Sequence, residues 1–155
     1  MPENETTSTL CAELIAQQCI AVRLRLLTRA VSRIYNKALR PHGITISQMN
    51  ILVAVSYLGK SNHQQVCHAL SLDKSTLSRD VERMLEKGWL ARHSGDDGRT
   101  SLLRVTSGGE KLLRRAAPAW HQAQQEAKAL LGEATLASLG RAVTAVRSTK
   151  STEPR

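Results

Sequence analysis

Apolar residues recur at three- and four-residue steps through most of this chain, which is the spacing of one face of an α-helix. The first such stretch runs from about Leu10 to Leu39 and stops before Pro41, because a residue that precedes proline disfavours the helical conformation. The apolar stripe of this helix consists of Leu24, Leu27, Val31, Ile34, Tyr35 and Ala38. Arg25, Arg29, Arg33, Lys37 and Arg40 fall on the opposite side. The pattern therefore predicts a long amphipathic first helix.

Two short helices are predicted next. The segment PHGITIS indicates a turn, after which Ser47 is a good N-cap for a second helix over residues 48–58. Gly59 is expected to end this helix. Ser61 or Asn62 then caps a short third helix.

A fourth helix is predicted to begin at the cap Asp73 and to end at Gly88. Its apolar side consists of Leu77, Val81, Met84 and Leu85. Its polar side consists of Ser75, Arg79, Glu82 and Glu86, with Thr76, Arg83 and Ser78 at the edges. The third and fourth helices are short and are joined by only a few residues, which is the outline of a helix-turn-helix.

The apolar period changes after Gly88. Residues 89–93 and 101–105 each predict a short strand, and SGDDGRT between them predicts a hairpin tip. Thr106 caps a long helix with a heptad seam at Leu113, Ala116, Trp120, Ala123, Ala127 and Leu130. Pro118 is expected to bend or locally break this helix. A final helix is predicted by Leu136, Leu139, Val143 and Val146. The fold class is thus mainly α with a small β-hairpin.

The length of 155 residues fits one domain that buries about 70% of its unfolded surface. We expect a disordered lead-in over 1–9, a single domain over 10–147 and a flexible tail over 148–155. The apolar runs are too short to cross a bilayer, and the start of the chain does not resemble a signal peptide. Three cysteines form no disulfide framework, so we expect a reduced, cytoplasmic protein.

The charge of +9 favours nucleic acid or an anionic membrane surface as a partner. Most of the excess lies between Ile15 and Leu72, a stretch that has seven basic residues and no Asp or Glu. Residues 72–104 have seven basic and six acidic residues. A nearly neutral segment of this kind argues against sequence-indifferent DNA binding, in which Lys and Arg would dominate the contact surface.

The start of the predicted fourth helix has the chemistry of a DNA-binding surface. The candidate residues are Lys74, Ser75, Thr76, Ser78 and Arg79. Short hydroxylated side chains allow close approach to a groove, and the guanidinium of Arg79 suits guanine or a phosphate. An ordinary polar surface helix is the alternative. The preceding short helix and the following hairpin favour DNA binding. The sequence contains no nucleophile elbow, phosphate-binding Gly loop or HExxH motif, so we expect no enzyme and no cofactor.

Three stretches carry a resemblance to a known family. LDKSTLSRDVERMLEKGWLAR resembles the recognition helix and first wing strand of the MarR family of winged helix-turn-helix transcription regulators. DDGRTSLLRVTSGGEKLL resembles the wing of that family, and RLLTRAVSRIYNKALRPHGITISQMNIL resembles its first two helices. The resemblance implies a homodimer that binds a palindromic operator on double-stranded DNA, with 10–40 and 106–147 as dimerisation helices and 47–105 as the winged helix-turn-helix. It places Arg99 in the minor groove, oriented by Asp97.

The resemblance also implies a repressor that is released by a small molecule or by oxidation. An anionic or phenolic effector could bind near Arg25, Arg29 and Tyr35, although solvation of the basic stripe is the simpler interpretation. Cys11 and Cys19 are about 12 Å apart along one helix, too far for a disulfide within it. A bridge between subunits and plain apolar packing both remain as interpretations. His63, Cys67 and His68 lack a second cluster for zinc, so no metal site is predicted.

Overall fold

The computed structural model describes residues 12–95 and 100–150, with side chains up to residue 148. Residues 12–18 are helical and lead into the main elements. In chain order these elements are α1 (Ile20–Leu39), a 3-10 turn (Arg40–His42), α2 (Ile46–Leu58), α3 (His63–Leu70), α4 (Lys74–Glu86), β1 (Leu90–Ser94), β2 (Ser101–Val105), α5 (Ser107–Leu131) and α6 (Glu133–Lys150). The predicted mainly helical fold with a hairpin is confirmed, while the predicted lead-in over 1–9 lies outside the described residues.

The first helix is not continuous as the periodicity predicts. Cys19 has extended backbone angles of φ −63° and ψ 112°, and α1 starts after it without a side-chain cap. Arg23 bridges the break by donating from its guanidinium to the Gln17 carbonyl oxygen at 2.6 Å. Residues 12–18 are all exposed, so no packing within the protomer holds the two helical segments in line. Apolar spacing alone could not reveal this interruption.

The cap of α2 also differs from the prediction. The cap is Thr45, not Ser47: its side chain accepts from the Gln48 backbone N–H, and the Gln48 side chain accepts from the Thr45 backbone N–H. This reciprocal capping box is encoded by the spacing Thr-x-x-Gln, which outweighs a lone serine two positions later. Gly59 ends α2 as predicted, with φ at +73°. Asn62, rather than Ser61, caps α3.

The core lies where α1 to α5 and the hairpin meet. Its fully buried members include Leu39, Ile51, Leu52, Val55, Val66, Leu77, Val81, Met84 and Leu103. Each of these side chains contributes roughly 1.5–3 kcal/mol through removal from water. Because α4 supplies three of them, one face of that helix is fixed against the rest of the domain.

The hairpin is a two-stranded antiparallel sheet in which Leu90 pairs with Val105 and Ser94 with Ser101. Ser61 adds a short bridge to it: the Ser61 backbone N–H donates to the Leu103 carbonyl oxygen at 3.1 Å, and the Leu103 N–H donates back at 2.7 Å. The hairpin is thereby attached to the chain between α2 and α3. Its orientation relative to α4 is therefore set by backbone hydrogen bonds as well as by packing.

Thr106 caps α5, as the sequence predicts, by accepting from the Gly109 backbone N–H at 3.1 Å. Helix α5 then runs unbroken through Pro118, so the predicted local break is absent. Ala116 and Ala123 on either side of this proline are fully buried, and that packing keeps the helix intact. Of the predicted seam, Ala116, Ala123 and Ala127 are buried within the protomer, whereas Leu130 is 58% exposed.

Helix α6 lies outside the core. Every side chain from residue 133 to residue 148 is exposed except that of Leu136, which is half-buried. Within the described part of the chain, no single helix is long and apolar enough to cross a membrane. Only when taken together are the helical segments Ser107–Leu131 and Glu133–Ser148 long and apolar enough to cross a membrane, and they are bent by 102° relative to each other.

Candidate nucleic-acid interface

Helix α4 presents a polar face to solvent because its apolar face is fixed in the core. Leu77, Val81 and Met84 are each 0% exposed. Among the predicted DNA-contacting residues, Lys74, Ser75, Ser78 and Arg79 are exposed and Thr76 is half-buried. The structure therefore brings all five onto the first two turns of one accessible helix. A helix that exposes short polar side chains in this way can enter a major groove.

Asp73 organises the beginning of this helix. Its Oδ1 accepts from the Thr76 backbone N–H at 2.7 Å and from the Ser75 hydroxyl at 2.6 Å. Its Oδ2 accepts from the Thr76 hydroxyl at 2.8 Å. The Ser75 hydroxyl, followed by the two donors of Thr76, holds the pKa of the Asp73 carboxyl far below its usual range. Asp73 is therefore an ionised cap at neutral pH, and it fixes the hydroxyls of its neighbours.

A polar contact between α2 and α4 was not found from the sequence. The Ser47 hydroxyl donates to Asp80 Oδ2 at 2.8 Å, and Gln48 Nε2 donates to Asp80 Oδ1 at 3.4 Å. Gln48 is only 5% exposed and is also held by the capping box with Thr45. The Thr-x-x-Gln spacing was the available signal for the cap. The Asp80 contact joins residues 33 positions apart, so no local pattern marks it.

The hairpin is tied to α4 by charged side chains. Arg92 on β1 forms an ion pair with Glu82 on α4, both well exposed. Lys87 Nζ donates to the Gly43 carbonyl oxygen at 3.0 Å and lies 4.4 Å from the centre of the Trp89 ring. These contacts join Lys87, which follows α4, to Gly43 after the 3-10 turn and to Trp89 before β1. The predicted wing-tip residues Asp97 and Arg99 lie outside the described residues.

The candidate effector residues are not assembled within one protomer. Arg25 and Arg29 are exposed on α1. Tyr35 lies about 15 Å further along the axis than Arg25. Its hydroxyl donates to Gln124 Oε1, and its ring lies 6.5 Å from that of Trp120. Burial raises the pKa of Tyr35. Tyr35 therefore joins α1 to α5, and no pocket is formed by these three residues alone.

The candidate redox residues are only partly covered by the structure. Cys11 lies outside the described residues. Cys19 is a half-buried free thiol at the break before α1, and Cys67 on α3 is a second half-buried free thiol. The proposed pairing of Cys11 with Cys19 thus stays a prediction.

A short helix pair with an exposed, capped second helix and an antiparallel hairpin behind it defines a winged helix-turn-helix protein. A profile of the MarR family matches residues 42–100, which run from the last residue of the 3-10 turn to the residue before β2. The same segment contains every one of the predicted DNA-contacting residues.

Individual relatives agree with this class. An uncharacterised helix-turn-helix transcriptional regulator, YwoH of Bacillus subtilis, is 29% identical over 83 residues, which cover 54% of this chain and 61% of YwoH. This chain therefore spans less than two thirds of that relative. The multiple antibiotic resistance protein MarR of Escherichia coli is 27% identical over 72% of this chain and 76% of its own length.

Solved structures extend the likeness to most of the chain. The transcriptional regulator MosR of M. tuberculosis, in complex with DNA, superposes with a TM-score of 0.68 and 28% identity over 84% of this chain and 99% of MosR. A mutant of E. coli MarR complexed with operator DNA gives a TM-score of 0.75 at 22% identity over 85% of this chain and 96% of that one. The resemblance to the MarR family of winged helix-turn-helix transcription regulators is confirmed.

Proposed function

We propose that this protein is a sequence-specific transcription regulator that represses genes by binding a palindromic operator. The observation that carries the proposal is the position of Lys74, Ser75, Thr76, Ser78 and Arg79 on the accessible start of α4. The buried face of the same helix holds that surface rigidly, which sequence recognition requires. MarR and MosR, whose structures with DNA have this fold, support the assignment. No enzymatic activity is proposed.

The wing is proposed to add a second contact. Arg99 would enter the minor groove beside each half-site, oriented by Asp97, because a narrow minor groove attracts arginine. The ion pair between Arg92 and Glu82 supports this role, since it joins the first strand of the hairpin to α4. Arg99→Ala is expected to weaken operator binding at least about tenfold, equivalent to roughly 1.4 kcal/mol. Fluorescence anisotropy with a labelled operator measures the loss, and unchanged affinity would remove the wing from the interface.

A homodimer is proposed because the helices at the two ends of the domain expose apolar side chains. Leu14, Ile15 and Ile20 at the start are 55%, 59% and 70% exposed, and Val143 and Val146 on α6 are 46% and 57% exposed. A second copy would cover both sets, and its twofold symmetry would match a palindrome. Val143→Asp should shift the protein toward monomer in sedimentation velocity and weaken operator binding in parallel. A variant that stays dimeric with full affinity would place the interface elsewhere.

Release of the operator is proposed to be regulated. A ligand or an oxidant would act by favouring a dimer whose two α4 helices have the wrong separation for DNA. Arg25, Arg29 and Tyr35 are the proposed effector residues, and Cys11 and Cys19 the proposed redox pair. The protein is proposed to act on DNA in the cytoplasm.

Selection of bound sequences from a random DNA pool, at stated salt, tests the function directly. The expected outcome is an enriched palindrome with half-site centres about 34–36 Å apart, one helical turn. A second candidate function, sequence-indifferent DNA binding, is suggested by the exposed basic residues of α1. It predicts no enriched sequence and a ratio near one between specific and bulk DNA affinity.

A further inference from the structure

The hydrogen bonds of Asp73 with Ser75 and Thr76 determine whether the Ser75 hydroxyl can donate a hydrogen bond to DNA or only accept one. A serine hydroxyl has one proton to donate and two lone pairs that accept. The Ser75 hydroxyl lies 2.6 Å from Asp73 Oδ1. An ionised carboxylate can only accept hydrogen bonds, so the proton between these two oxygens must come from Ser75. The remaining capacity of the exposed Ser75 oxygen is as an acceptor.

The carboxylate of Asp73 is ionised at neutral pH, and three donors that converge on it stabilise the ionised form. Besides Ser75, the Thr76 backbone N–H and the Thr76 hydroxyl donate to Asp73 at 2.7 and 2.8 Å. These bonds, with that of Ser75 as the largest cause, hold the pKa of the Asp73 carboxyl far below its usual range. Protonation of Asp73, which would free the Ser75 hydrogen, is therefore negligible at neutral pH.

The major-groove edges of the bases differ in what they offer such an acceptor. Adenine N6 and cytosine N4 are amino groups that donate, whereas guanine O6 and thymine O4 only accept. A freely rotating hydroxyl is compatible with both classes, but a hydroxyl whose proton is already engaged suits only the amino class. Arg79 lies one turn further along α4 and donates from Nε to the Ser75 carbonyl oxygen at 3.3 Å. The same surface thus places a donor next to the Ser75 acceptor.

We propose that Ser75 is a specificity-determining residue that, with its proton held by Asp73, accepts a hydrogen bond from an exocyclic amino group and so selects adenine or cytosine over guanine and thymine. This inference rests on the proposed function, because it requires α4 to occupy a major groove. It assigns Asp73 the role of a positioning residue that fixes the polarity of its neighbour and does not touch DNA. Each half-site then has one position at which amino and keto bases are distinguished.

Two substitutions at Asp73 distinguish the direction of the Ser75 hydrogen bond from the negative charge and the helix cap as the cause of a base preference. Asp73→Asn and Asp73→Ser both remove the negative charge, and Asn and Ser are both good N-caps, so α4 should form in each. Asn keeps a carbonyl oxygen that the Thr76 backbone N–H requires. The Ser75 hydroxyl, which shares that oxygen in the wild type, can still donate to it. Ser offers a hydroxyl that itself donates or accepts, so the proton of Ser75 is no longer committed.

The experiment is the random-pool selection, run with wild type, Ser75→Ala, Asp73→Asn, Asp73→Ser and the control Ser56→Ala. The wild type and Asp73→Asn should enrich adenine or cytosine at one common position in each half-site. Ser75→Ala and Asp73→Ser should lose that discrimination, and Ser75→Ala should bind the best site roughly two- to tenfold more weakly. Ser56→Ala on α2 is the matched control, because Ser56 is an exposed helical serine outside the proposed DNA-contacting residues; it should keep the preference of the wild type. Circular dichroism melting checks that each variant folds.

The outcomes are distinct. If the wild type enriches no palindrome, the proposed function fails. If it enriches one and Ser75→Ala leaves every position unchanged, Ser75 does not select a base. A guanine or thymine preference that depends on Ser75 would show that its hydroxyl donates. Retention of the preference in Asp73→Ser would show that Asp73 does not set the polarity of the Ser75 hydroxyl, and its loss in Asp73→Asn would show that an accepting oxygen at this position is not sufficient.

Discussion

Gly109, in the first turn of α5, is the position at which one added methyl group should separate the long helix from the hairpin. A Cβ atom built there would lie 2.3 Å from the Trp89 carbonyl oxygen and 2.8 Å from Val105 Cγ1. The nearer atom belongs to the backbone, so rotation of a side chain cannot relieve the contact. The Gly109→Ala variant can fold only if α5 moves away from Trp89, the residue before β1.

The cost of that movement follows from the bonds it stretches. The Thr106 backbone N–H donates to the Trp89 carbonyl oxygen at 3.0 Å, and the Thr106 hydroxyl donates to the Gly88 carbonyl oxygen at 2.6 Å. Loss of both costs about 2 kcal/mol, overpacking adds about 1–3 kcal/mol, and the better helix propensity of alanine returns about 1 kcal/mol. The free energy of unfolding should therefore fall by about 2–4 kcal/mol.

Urea unfolding followed by tryptophan fluorescence is the suitable assay, because Trp89 lies at the affected contact. All variants are compared at one protomer concentration, since a dimer makes apparent stability depend on concentration. Gly140→Ala is the matched control: a Cβ there meets nothing within 4 Å among the described residues, and alanine should raise stability by up to about 1 kcal/mol. If Gly109→Ala were as stable as the wild type, the close approach of α5 to the hairpin would be refuted.

The remaining predictions concern polar side chains. The fully buried Ser61 hydroxyl has no hydrogen-bond partner among the described residues, so Ser61→Ala should leave the free energy of unfolding unchanged or raise it by about 1 kcal/mol. Ser47→Ala removes the donor to Asp80 and should lower the free energy of unfolding by about 1 kcal/mol in the same urea assay. A Ser61→Ala variant less stable than Ser47→Ala would contradict the hydrogen bonding assigned to both serines. Glu82 and Arg92 have side chains 58% and 50% exposed, so a double-mutant cycle should give a coupling of about 0.2–1 kcal/mol. A coupling well above 2 kcal/mol would mean that the pair is desolvated.

Local sequence patterns were sufficient to predict several helix boundaries. Asp73 as the cap of α4, Gly59 as the end of α2 and Thr106 as the cap of α5 are each determined by a side chain and a backbone group a few residues apart. The buried face of α4 follows from apolar spacing, and so does the opposite, exposed face. These features are local in the chain, so the sequence alone identifies them.

Two failures of prediction share a cause, whereas the wrong cap of α2 does not, because the capping box of Thr45 with Gln48 is local. The break at Cys19 and the unbroken helix at Pro118 depend on whether packing is present, and apolar spacing does not report packing. The heptad seam of α5 indicates packing against another helix, but the spacing does not say which one. Within one protomer, part of it contacts α1, through Trp120 beside Tyr35. Only the assembled helices show whether an apolar stripe packs against its own chain or against another.

The order of helices, the caps of α4 and α5, the amphipathic face of α4 and the resemblance to a family of DNA-binding regulators follow from the chain alone, because all of these are properties of neighbouring residues. Tertiary structure decided how α4 is held. The contact of Asp80 with Ser47 and Gln48, the bridge of Ser61 to Leu103 and the approach of Gly109 to Trp89 each join distant parts of the chain. They arise only after the core has brought those parts within hydrogen-bonding distance, and they fix the surface that we propose meets DNA.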